Sequence, residues 1–126
     1  MILSIDETND ILDRLCGELP EALFQDLNGG ILLLEEALPD PEAGESVYVM
    51  GEYCWDELGR YIKLYYGSFA ALLQEEDEAV WKDEMFATVA HEFTHHLEET
   101  AGLHALDDKD LEFLREAMEE YGQGAE

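Results

Sequence analysis

The chain has 126 residues, 47% of them hydrophobic and 10% aromatic, which is enough apolar material for one domain spanning 1–126 and too little for two independent cores. Its 32 Asp and Glu against 6 Lys and Arg give a formal charge of −26 at pH 7. That apolar content excludes a fully disordered acidic chain; the field repels phosphate backbones and anionic lipids, excluding nucleic acid and membrane as direct partners, and draws in cations and basic peptides.

The N-terminal stretch Met1-Ile2-Leu3-Ser4-Ile5 has no basic residue and meets Asp6 at once, which does not fit a secretory signal. Apolar runs such as Ile31 to Leu34 are far too short for a membrane span. Cys16 and Cys54 lie far apart and form no Cys-x-x-Cys pair, so neither a metal knuckle nor a disulfide framework is expected, and a reduced, cytoplasmic setting is.

In chain order, Ile11, Leu12 and Leu15 have helical spacing and predict a first helix from Ile5 to Leu15; a second, short helix starts at Pro20 and ends before Gly29-Gly30. Ile31-Leu32-Leu33-Leu34 reads as a buried strand and Pro39 to Ser46 as a surface loop. Val47-Tyr48-Val49-Met50 and Arg60 to Tyr66 are rich in β-branched and aromatic residues and read as an antiparallel pair, with a turn at Asp56 to Gly59. Ser68 to Leu73 opens a short helix, and Glu78 to Thr100, free of proline and glycine, is the longest one. At about 100° per residue from Phe86, the side chains of Val89, Ala90, Phe93 and Leu97 form one core stripe. Gly102 is the expected stop, and a last helix runs from Asp108 to Tyr121 with Leu111, Leu114 and Met118 inward. Trp55, Trp81, Tyr65 and Tyr66 are expected in the core.

His91-Glu92-Phe93-Thr94-His95 is an H-E-x-x-H sequence inside the longest helix. Residues four apart lie one turn apart on one face, so two imidazoles can converge on one ion at about 2.0–2.1 Å each. His91, His95 and Glu98 share a face some 120–180° from Phe86, clear of the core stripe. Glu92, beside the first imidazole, points toward the open coordination position, where a carboxylate takes a proton from water that the metal has acidified to a pKa of about 7. His96 sits about 100° from His95 and is read as a local hydrogen-bonding residue.

A hairpin followed by a helix bearing His91-Glu92-Phe93-Thr94-His95-His96-Leu97-Glu98 resembles the small zincin-like metallopeptidases of bacteria, over roughly Val47 to Asp110. The resemblance implies an α+β zincin-like fold, with a short antiparallel or mixed sheet packed on the active-site helix and helices flanking it. It also implies zinc at His91 and His95, Glu92 as general base, and hydrolysis of peptide bonds.

Metzincin-type sites continue as H-E-x-x-H-x-x-G-x-x-H, whereas Glu98 and Ala101 stand at those positions here. Glu98 is the first choice for third metal ligand, because helical side chains lean back toward the N-terminus. His104, Asp107 or Asp108 after a chain reversal at Gly102, or Glu112 or Glu116 further on, are the competing donors, and the other role open to Glu98 is as the partner of an imidazole. Two imidazoles and a carboxylate also accept iron, cobalt or nickel.

The leading expectation is a zinc-dependent metallopeptidase acting on peptide or protein, a basic one suiting the field, with the strand Arg60 to Tyr66 as the edge where substrate pairs. The alternative is a non-catalytic metal-binding or acidic protein-interaction module on the same scaffold. A nucleic-acid mimic is a third, needing no metal.

Overall fold

The computed structural model describes residues 2–40, 42, 47–57, 59–100 and 108–118. Helix α1, Ile5–Glu18, starts at a capping box: Ser4 Oγ accepts from the Glu7 backbone N–H at 3.1 Å, and the Ser4 N–H donates to Glu7 Oε1 at 2.8 Å. A short 3-10 turn, Glu21–Phe24, follows Pro20 and leads to strand β1, Gly30–Leu34. Strands β2, Leu38–Pro39, and β3, Tyr48–Val49, form a small antiparallel ribbon. Then come β4, Gly51–Asp56, and β5, Gly59–Tyr65, followed by helices α2, Tyr66–Leu72, α3, Glu78–Thr100, and α4, Asp108–Met118.

The fold is α+β. Its main sheet has the order β1-β5-β4, with β1 parallel and β4 antiparallel to the central β5. Gly59 opens β5 at φ +122°, a left-handed value that favours glycine after the turn.

Helix α3 has the bounds its sequence implied. Asp77 caps it, its Oδ1 accepting from the Val80 N–H at 3.1 Å. Its stripe Met85, Val89, Ala90, Phe93 and Leu97 is buried against Ile62 and Leu64 of β5, Phe69 of α2 and Ile11, Leu12 and Leu15 of α1. Full burial of a side chain such as Phe93 contributes about 1.5–3 kcal/mol. The buried hydroxyl of Thr88 donates to the Glu84 carbonyl one turn back, so a polar group is accommodated inside the core.

Three sequence expectations are corrected. Val47–Met50 is not the partner of the Arg60 to Tyr66 strand: β4 is, in the register Gly51↔Leu64 to Asp56↔Gly59, while Tyr48–Val49 pairs with Leu38–Pro39. The turn after Asp56 stands where expected; the strand entering it lies later than the hydrophobic run suggested. Second, β5 is no edge, because it is paired on both sides, and the edge beside α3 is β4. Third, Trp55 is 64% exposed, since it lies near the sheet's end beyond the reach of the core, whereas Trp81 is fully buried. Gly102, His104, Asp107 and residues 119–121 lie outside the described residues, as do the side chains of Leu111 and Met118; Leu114 is buried. No helix among the described residues is long and apolar enough to cross a membrane.

Candidate metal centre and cleft

Gly51 sets how closely β4 lies on α3. A Cβ there would stand 3.0 Å from Thr88 Cγ2 and 3.1 Å from Leu64 Cδ2, a tight fit in which glycine lets the strand start flush against the helix, one turn before His91 and Glu92, without displacing either neighbour. From that point β4 follows α3 toward its C-terminal end. Tyr53 donates its hydroxyl to His96 Nδ1 at 2.9 Å, and His96 Nε2 lies 2.7 Å from the Gln25 carbonyl. A carbonyl only accepts, so Nε2 carries the proton, and Nδ1 of the neutral ring is the acceptor that Tyr53 fills. His96, 1% exposed, therefore fastens strand, helix and the segment after the 3-10 turn together, and its ring nitrogens are both engaged away from any ion.

Between β4 and α3 lies a cleft of about 550 Å³ lined by Glu52, Tyr53, Cys54, Glu92, His95, Glu98 and Glu99. His91 and His95 face one another across one helical turn, Nε2 to Nε2 at 3.2 Å, with ring planes at 88°. With metal–nitrogen bonds of about 2.05 Å, that separation subtends about 103° at an ion, close to a tetrahedral angle. The pair thus fits two ligands of a four-coordinate metal. Glu92 lines the same cleft and is 1% exposed, a carboxylate withdrawn from bulk water beside the imidazole pair.

Glu98 stands beside the other nitrogen of the His95 ring. Its Oε1 lies 3.8 Å from His95 Nδ1, the ring nitrogen turned away from His91, and its side chain is 63% exposed. Among the described residues no group of three or more His, Cys, Asp and Glu side chains stands ready to hold a metal ion. Of the competing donors, Asp108 is exposed at the start of α4, Glu112 is ion-paired with Arg115 at 2.8 Å, and Glu116 is exposed.

Burial, opposed by the Arg60 guanidinium and reinforced by Glu99, pushes the Tyr53 hydroxyl pKa up. Burial also raises the thiol of Cys54, Lys63 opposing and the nearby carboxylates Glu52, Glu92 and Asp56 adding to it. Cys16 and Cys54 are both free thiols. The participation of Tyr53 and Cys54 in the cleft had no signal in the sequence beyond their nearness to the hairpin turn, because strand register alone brings them beside α3.

No family model matches the chain, and neither does any curated protein. Among solved structures, the conserved hypothetical protein TTHA0227 from Thermo thermophilus is 35% identical, with a TM-score of 0.69 and an alignment covering 79% of this chain and 98% of that one. The chain belongs to the family of that protein. Membership brings the α+β fold with it; the relative's name carries no activity, so the chemistry rests on the cleft.

Proposed function

We propose that this member of the family is a zinc-dependent metallopeptidase with a zincin-like fold, acting through the cleft between β4 and α3. The observation that carries the reading is the pair of Nε2 atoms facing each other at 3.2 Å, with the buried Glu92 lining the cleft beside His95. His91 and His95 hold the ion through Nε2. When bound, the ion supplies a Lewis acid and lowers the pKa of water to about 7. Glu92 takes the proton from the attacking water and passes it to the leaving amine. Glu98 turns His95 from the Nδ1 side or swings across to become the third ligand, with His104, Asp107, Asp108, Glu112 and Glu116 as the competing donors.

The outer edge of β4 supports a peptide substrate. Among the described residues no strand pairs with that edge, and an extended peptide can add there along the cleft. The charge of −26 favours basic peptides, and the two free thiols fit a reducing, cytoplasmic setting. The same charge is the ground for the alternative, a non-catalytic acidic interaction module.

Elemental mass spectrometry of protein purified without added metal, beside Glu92→Gln digests of a peptide library, tests the proposal. About one zinc per chain, with cleavage that Glu92→Gln lowers by about 10²–10⁴-fold while zinc stays, is the expected result. No zinc taken up on titration removes the hydrolytic reading. Zinc without cleavage leaves the non-catalytic module.

A further inference from the structure

Glu52 lies on the edge strand β4, half-buried, in the wall of the cleft. Tyr65, 4% exposed, donates its hydroxyl to Glu52 Oε1 at 2.6 Å, so a donor buried in the fold holds this carboxylate in one place. The register partner of Glu52 is Lys63, on the same face of the sheet, whose side chain lines a groove with Leu32, Leu34 and Tyr61. The ion pairs among the described residues are Lys82–Glu78, His95–Glu98 and Arg115–Glu112, none of which involves Glu52. A carboxylate fixed by a neutral donor keeps its full charge and loses little conformational freedom when a cation arrives.

We propose that Glu52 is a specificity-determining residue that selects a Lys or Arg side chain in the peptide lying along β4. The inference rests on the peptide-binding cleft of the preceding reading. A strand added to this edge places every second side chain on the Glu52 face, and directly opposed positions in adjacent strands stand about 4.5–5.5 Å apart at Cβ. An ammonium or guanidinium reaches the carboxylate from there, while an acidic side chain meets like charge. The overall field attracts any basic peptide; Glu52 makes the preference depend on position.

Three blocked decapeptides of Thr and Ala, identical except for a central Lys, norleucine or Glu, are titrated into zinc-loaded ¹⁵N-labelled Glu92→Gln protein, with binding read by amide shifts. The Lys peptide is expected to bind about tenfold tighter than the norleucine peptide, the Glu peptide weakest. Adding Glu52→Gln, whose amide oxygen still accepts from Tyr65, should bring the Lys preference to about twofold, Glu52→Lys should turn it toward the Glu peptide, and Glu75→Gln, remote from the cleft, should leave it unchanged. A Lys preference unmoved by both Glu52 changes, or no binding of any of the three peptides, overturns the proposal. The peptidase reading falls separately: protein that binds the Lys peptide through Glu52 but neither holds zinc nor cleaves overturns that reading alone, and protein that holds zinc and cleaves without Lys preference overturns only the role of Glu52.

Discussion

The Nε2 atoms of His91 and His95 face each other at 3.2 Å, one helical turn apart, while the Nδ1 atom of His95 faces Glu98 at 3.8 Å. The two nitrogens of one ring thus face in two directions, one toward the second imidazole and one toward a carboxylate. His91→Ala or His95→Ala should reduce bound zinc from about one per chain to near zero after dialysis, since neither leaves a chelating pair. Retention of stoichiometric zinc by either variant would place the metal elsewhere.

Glu98→Ala distinguishes an orienting group from a ligand. From its position beside Nδ1, its loss should weaken zinc affinity by about 10–100-fold and leave the stoichiometry intact in competition with a chromophoric chelator. Complete loss of zinc would make Glu98 the third ligand, and Asp108→Ala measured alongside shows whether the start of α4 contributes one.

Tyr53→Phe removes the hydroxyl that fills His96 Nδ1 and leaves a buried acceptor without its partner. The expected cost is about 1–3 kcal/mol in chemical denaturation. An unchanged midpoint would mean that the clamp between β4 and α3 carries no net stability.

Gly51→Ala places a methyl against Thr88 Cγ2 and Leu64 Cδ2. Since both neighbours belong to a packed core, the strand has to move off the helix, at about 1–3 kcal/mol. A wild-type denaturation midpoint with unaltered amide shifts around Glu92 would show that the strand has room to spare.

Alkaline stability has a defined sign. Tyr65 has its pKa raised by burial and by the Glu52 carboxylate, and Tyr53 by burial. Unfolded tyrosines ionise near pH 10, so above that the folded chain binds more protons than the unfolded one, and stability present at lower pH is lost as pH rises through the folded values. Guanidinium midpoints should fall between about pH 9 and pH 11, with a shallower fall in Tyr65→Phe. A flat profile would contradict the burial of these hydroxyls.

The sequence by itself determined what depends on local period. The 23 residues of α3, its apolar stripe and the facing of His91 toward His95 follow from 3.6 residues per turn acting on one uninterrupted segment, and the net charge follows from composition. Strand order, register and edge were decided by tertiary structure, because they are set by contacts between distant segments. The parallel pairing of β1 with β5 makes β5 the centre of the sheet, and nothing in Arg60 to Tyr66 states that a strand some thirty residues earlier will lie beside it. The entry of Gly51 against Thr88, the capture of His96 by Tyr53 and the setting of Glu52 in the cleft follow from that register.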